Sequence, residues 1–159
     1  MNAKSIKVDL PTDTQYILSA GNLYRIIASG AQTNSRFSLI FSILKPGQGG
    51  PIHTHSNEQE SFYITKGSLT FYDGQKEVLA PEGSFVFCPE GASRGFRNNT
   101  DNDVEMLILY TPSGIENMIK MDGTPINSLK RYKHEHTEQL ACPVLNEQFG
   151  IEEIKTPLL

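Results

Sequence analysis

Two histidines and a carboxylate, spaced His53-Thr54-His55 and then Glu60, are the residues of this chain best equipped for chemistry. Imidazole nitrogens and carboxylate oxygens are donors for divalent transition metals. Alternate side chains along a strand share a face, so His53 and His55 point the same way. After a tight polar turn the chain re-enters an apolar run at Glu60, which sets a carboxylate beside the two rings. Two histidines and one carboxylate on adjacent strands leave positions on a metal open for substrate or oxygen. The expected ligands are therefore His53, His55 and Glu60, holding one divalent transition metal (Fe, Mn, Ni or Zn). Glu58, two residues earlier, reads as solvated in the turn.

Strands must position this set, and the chain offers many. Short apolar or alternating runs cover residues 16–18, 23–28, 37–44, 62–65, 68–72, 77–79, 84–88, 94–97 and 104–111. Gly- and Pro-containing turns separate them, and Asp73-Gly74 suits a hairpin because it tolerates positive φ. That pattern predicts an all-β antiparallel sandwich or barrel. Beyond Thr111 the character changes. Ser113 and Glu116 have capping-box spacing ahead of Ile115, Met118 and Ile119, which predicts a helix over 113–121. Pro143 and Gly150 bracket a second helix over 143–149. Residues 122–133 read as a polar connection.

The chain has 159 residues and a net charge of −4, which fits one domain with a substantial core. The acidic balance argues against nucleic acid or an anionic membrane as partner. No stretch is long and apolar enough to span a bilayer, and residues 1–10 lack a signal-peptide core. Cys88 and Cys142 have no framework spacing and read as reduced thiols, which predicts a cytoplasmic protein. Cys88 in particular reads as a buried small hydrophobe.

The segment from Gly47 to Asn98 resembles the two sequence motifs of the cupin superfamily. Gly47, His53, His55, Glu60 and Gly67 stand at the positions of the first motif, G-x5-H-x-H-x(3,4)-E-x6-G. Gly83, Pro89, Gly91 and Asn98 stand in register with the second, G-x5-P-x-G-x2-H-x3-N. The resemblance implies a double-stranded β-helix, or jelly-roll barrel, as a single cupin domain over 1–159. Its motif core is 47–98 and a helical C-terminal extension covers about 112–159.

The departure is at Arg94, where the motif has its last histidine ligand. An arginine is always protonated and cannot ligate a metal. Three orientations are open to it. Arg94 can turn aside from the triad, which then keeps its metal; point inward and pair with Glu60 in place of the cation, leaving a metal-free pocket; or reach past the triad to a substrate carboxylate or enolate. Its fixed charge predicts a weakened metal site. If Arg94 faces inward, Phe96 and Asn98 share its face, and Phe62 joins them in lining a pocket.

The helix after Thr-Pro-Ser-Gly-Ile-Glu and the tail from Phe149 are similar to small bacterial cupins grouped with the quercetin dioxygenases. This resemblance implies a metal-dependent, dioxygenase-like oxidoreductase acting on a small organic molecule, aromatic or carbonyl-containing, with Glu60 as a ligand or a catalytic base. Two alternatives stay open. One is a metal-free or metal-optional isomerase, cyclase or dehydratase with His53 or His55 as acid/base and Arg94 as the catalytic residue that stabilises an enolate; the other is a non-catalytic cupin that binds a small metabolite. The resemblance also implies a homodimer, for which strands at 6–10 and 16–18 are candidates. His134 and His136 form a second His-x-His, in a charged stretch read as solvated surface.

Overall fold

The computed structural model describes residues 5–134 and 142–155. Twelve strands and three short helices follow one another: β1 (Ile17–Ser19), β2 (Asn22–Ala28), α1 (Gly30–Thr33), β3 (Ser38–Leu44), β4 (Gly49–His55), β5 (Gln59–Lys66), β6 (Ser68–Tyr72), β7 (Glu77–Pro81), β8 (Phe85–Cys88), β9 (Arg94–Arg97), β10 (Val104–Thr111), α2 (Ile115–Asp122), β11 (Thr124–Pro125), α3 (Pro143–Gln148) and β12 (Ile151–Glu153). They form two antiparallel sheets, ordered β11-β1-β2-β3-β10-β5-β8 and β12-β4-β9-β6-β7. The fold is the expected all-β jelly roll with short helices.

Alternation builds the core. In β5, Glu60, Phe62 and Ile64 point in while Tyr63 and Thr65 point out; β10 buries Val104, Met106, Ile108 and Tyr110 in the same way. The inward faces of both sheets meet around Phe62, whose ring packs edge-on to Phe71 and Phe96 at centroid distances of 5.0 and 5.5 Å. The helix α2 lays Ile115 and Ile119 on this core and also buries Met118.

Backbone geometry explains the motif glycines. Gly47, Gly67, Gly83 and Gly91 all have φ between 77 and 86°, the left-handed region that a Cβ disfavours. Gly49 has a different reason: a Cβ there would lie 2.0 Å from the Phe96 carbonyl oxygen. Only glycine lets β4 approach β9 closely enough to pair.

Several local expectations are corrected. Ser113 does not cap α2; Gly114 is the N-cap, and the Glu116 carboxylate accepts from the N–H groups of Gly114 (2.7 Å) and Gly30 (2.8 Å). The loop–helix junction is thus pinned to α1 by a buried side chain. Residues 6–10 are not a strand; Ile6, Val8 and Leu10 stand exposed, and Asp9 pairs with Arg25. The run 16–18 becomes β1, paired with β2 and β11 of its own sheet. The connection at 122–133 is less polar in place than in composition, since Leu129 and Tyr132 pack on Tyr16, Leu23 and Ile43. The C-terminal region is not purely helical either: β12 adds to the edge of β4.

Candidate metal and substrate site

The strand β4 carries His53 and His55 on one face, and β5 brings Glu60 from the opposite sheet. Their donor atoms lie within 4.8 Å of one another. The Nε2 atoms of His53 and His55 are 3.1 Å apart, and Glu60 Oε2 is 3.4 Å from His55 Nε2. Two donors about 2.1 Å from one ion are roughly 3.0 Å apart at a right angle and roughly 3.4 Å at the tetrahedral angle. The spacing therefore suits adjacent ligands of a single ion.

The second nitrogen of each ring supports this. His53 Nδ1 lies 2.8 Å from the Pro51 carbonyl, which only accepts, so Nδ1 carries the proton and Nε2 a lone pair. His55 Nδ1 lies 3.4 Å from Glu58 Oε2, and that carboxylate favours the same tautomer. Two lone pairs then face each other at 3.1 Å, an arrangement that a cation between them relieves. Burial pushes the His53 pKa down, which keeps the ring in the neutral form that ligates. Glu58 is thus not solvated; it is 5% exposed and sits beneath His55.

Arg94 takes the second of its three orientations. It is 1% exposed, directly opposite His53 in the β4–β9 pairing, with Nε 3.3 Å from Glu60 Oε2 and Nη2 donating to the Pro89 carbonyl at 3.3 Å. Glu60 thus stands between the guanidinium and the histidines. Cys88 lies buried beside the guanidinium; burial raises its pKa, while Arg94 opposes the rise.

A cavity of about 130 Å³ opens over the triad. Phe96 lines it, together with Ile108, Ile115, Met118, Ile119 and Ile151. Tyr24 and Tyr110 supply phenols; burial raises the pKa of Tyr24 to about 12 and that of Tyr110 well above 10, so both keep their protons. Two of the expected lining residues are elsewhere. Phe62 lies inside the aromatic core, and Asn98 donates to the carbonyls of Leu44 (3.0 Å) and Asn102 (2.7 Å), bracing the turn after β9. Arg94 also lies outside the lining, behind Glu60. Conversely, Asn22, Asp122, Asn146 and Glu153 line the cavity without having been singled out in the sequence. His134 is half-buried with Nε2 3.2 Å from Gln48 Nε2, rather than solvated, and His136 lies outside the described residues.

Residues 40–110 match the family model of the cupin domain. With the two-sheet fold and the motif residues in place, that match identifies residues 40–110 as a cupin domain. Over 64 residues it is 34% identical to an oxalate-binding protein of Thermotoga maritima, covering 40% of this chain and 53% of that one. Over 109 residues it is 24% identical to a quercetin 2,3-dioxygenase of Bacillus subtilis, covering 69% of this chain and 32% of that one. The matches thus span about half and about a third of those two proteins. A polyketide cyclase from Streptomyces resistomycificus superposes with a TM-score of 0.60 over 82% of this chain and 89% of its own, at 17% identity, a likeness of fold. The oxalate-binding protein and the dioxygenase differ in what they do, so the site itself must carry the functional reading.

Proposed function

We propose that this chain is a mononuclear-metal cupin enzyme, an oxidoreductase of the dioxygenase type, acting on one small organic molecule. The observation that carries the reading is the convergence of His53 Nε2, His55 Nε2 and Glu60 Oε2 at ligand-to-ligand spacing, with both histidine Nδ1 atoms facing acceptors. A divalent ion held by these three residues would polarise an oxygen-bearing substrate and, if redox-active, support chemistry with dioxygen. The protein's own part is to orient and to exclude water. Glu58 faces His55 Nδ1 at ion-pair distance and favours the tautomer protonated there, and Arg94 pairs with Glu60. The Tyr24 and Tyr110 hydroxyls offer hydrogen bonds, and the apolar wall sheds solvent. A cavity near 130 Å³ is comparable to the ~150 Å³ engineered cavity that takes benzene, so it favours a substrate with one ring.

The pairing of Arg94 with Glu60 favours a second reading, a metal-optional isomerase, cyclase or dehydratase in which His53 or His55 moves the proton. Metal content separates the two. Protein purified without an affinity tag should carry near-stoichiometric iron, manganese, nickel or zinc by mass spectrometry, and His53→Ala should lose it. A wild-type protein that stays empty after loading with Fe²⁺ would overturn the metal reading in favour of the second.

For assembly we propose a homodimer through the outer face of the larger sheet. Tyr63 and Phe85 stand opposite each other there, 45% and 65% exposed, beside Phe87. Sedimentation of Phe85→Ser/Phe87→Ser should show a monomer where the wild type shows a dimer. No helix among the described residues is long and apolar enough to cross a membrane. Because Cys88 and Cys142 are both free thiols, we assign the chain to the cytoplasm.

A further inference from the structure

Three side chains stand in one row across the smaller sheet. His53 in β4 is opposite Arg94 in β9 on one side and opposite Glu153 in β12 on the other. Directly opposed residues of antiparallel strands project from the same face, with Cβ atoms roughly 5 Å apart. The triad is therefore flanked by a guanidinium and a carboxylate, and the two differ in what they can reach. Arg94 is buried behind Glu60 and outside the cavity lining, whereas Glu153 lines the cavity and is half-buried. Asn146, at 8% exposure, donates through Nδ2 to Glu153 Oε1 at 3.2 Å and holds the carboxylate in place.

The opposite wall has the same character. Asp122 lines the cavity and receives the Ser19 hydroxyl at 2.7 Å. Asn22, at 2% exposure, has its Nδ2 within reach of the Gly49 carbonyl (2.9 Å) and the Tyr24 oxygen (3.4 Å). These partners settle which amide atom is oxygen in both asparagines, and the Oδ1 atoms of Asn22 and Asn146 have no hydrogen-bond partner. No lysine or arginine lines the cavity among the described residues. Beyond the triad, then, the wall offers two carboxylates, Glu153 and Asp122, while Arg94 lies outside it, paired with Glu60.

Resting on the functional reading above, we propose that the substrate is a neutral or cationic molecule of single-ring size bearing hydroxyl or amino donors, and that Glu153, held by Asn146, receives one of those donors and sets this selectivity. An oxalate-like dianion is disfavoured, because its second carboxylate would lie against Glu153 or Asp122. Both carboxylates are complementary to a donor and repel an anion.

Benzylamine, benzyl alcohol and benzoate test this, since they share a ring and differ mainly in the charge of the head group. Their dissociation constants are measured by calorimetry on the full chain as purified and again after dialysis against EDTA. In chelated protein, benzylamine is expected to bind at least tenfold more tightly than benzoate, with benzyl alcohol between them. Glu153→Gln keeps an acceptor for Asn146 and should reduce the benzylamine-to-benzoate preference at least tenfold in both preparations, leaving benzyl alcohol within about twofold. A purely structural role would weaken all three ligands by one factor. If Glu153→Gln does not fold, Asp122→Asn is read for the same reduction. Benzoate binding as tightly as benzylamine in chelated wild type, or a preference unchanged in the variant, overturns the proposal. Neither outcome depends on a metal, so a failure here is distinct from failure of the metal reading, which metal content alone decides.

Discussion

Replacing Arg94 by histidine tests the balance between the guanidinium and a metal ion directly. Arg94 Nε is 3.3 Å from Glu60 Oε2, and an ion bound to that oxygen would sit about 2.1 Å from it. The two cations would then be about 5 Å apart. For a unit charge and a divalent ion at an effective dielectric of about 20, the repulsion is roughly 6–7 kcal/mol. Glu60 lies between them and attracts both, so we expect about a third of this, ~2 kcal/mol, to appear in affinity, equivalent to roughly thirtyfold. The new imidazole adds to that gain if it reaches the ion. Without metal the sign reverses, because Glu60 is buried and loses its cation, which costs on the order of 3 kcal/mol of stability. Arg94→His should therefore melt below the wild type in chelator and bind Zn²⁺ at least about thirtyfold more tightly. Competition against a chromophoric chelator gives the affinity, and thermal unfolding with and without zinc gives the stability. Zinc affinity equal to or weaker than that of the wild type would refute the reasoning.

Glu58→Gln should lower zinc affinity roughly 10–100-fold while leaving the melting temperature of the chelated protein nearly unchanged, since the carboxylate acts on the metal through His55; the same chelator competition checks it. Phe62→Ala should cost about 3–5 kcal/mol by emptying the aromatic cluster with Phe71 and Phe96, a fall in Tm of roughly 6–20 °C. Glu116→Gln should cost about 1–3 kcal/mol in denaturant titrations, because an amide cannot accept from both Gly30 and Gly114. Burial, the largest single influence, would raise the Glu116 pKa, but the N–H donors of Gly30 and Gly114, with the Glu116 N–H and the Ser38 hydroxyl, together outweigh it, and the net direction is downward from 4.5. The folded pKa is thus below the unfolded one. The stabilisation is present above about pH 4.5 and fades as pH falls through the folded value, so the wild-type advantage over Glu116→Gln should shrink there.

Much of the site was legible because strand alternation is a local rule. Glu60 keeps step with Phe62 and Ile64, and His53 with His55, so their facing follows once β4 and β5 are recognised. The motif glycines were legible for an equally local reason, their positive φ. What escaped depends on non-local or irregular geometry. Glu58 precedes β5 in a turn, where alternation does not say which way a side chain folds, and it folded back beneath His55. Asn98 shares parity with Arg94 and Phe96, but β9 ends at Arg97, and past the strand end its amide follows turn carbonyls. Glu153 belongs to a strand of three residues, too short for a period to register, and its place opposite His53 depends on a pairing across 100 residues. The direction of Arg94 was open among three choices because nothing local distinguishes a side chain aimed at Glu60 from one aimed past it.

The seating of β12 on β4 also orders events in time. A chain emerging from the ribosome presents His53, His55, Glu60 and Arg94 long before residues 151–153, so the ligands and the second barrel motif can assemble while one edge of β4 is still bare. Exposed strand edges invite pairing with other chains. During that interval the nascent protein would hold its histidines on an open edge and lack the acidic flank of its cavity. This later stretch therefore does two jobs in one step: it covers an exposed strand edge and completes the wall of the cavity.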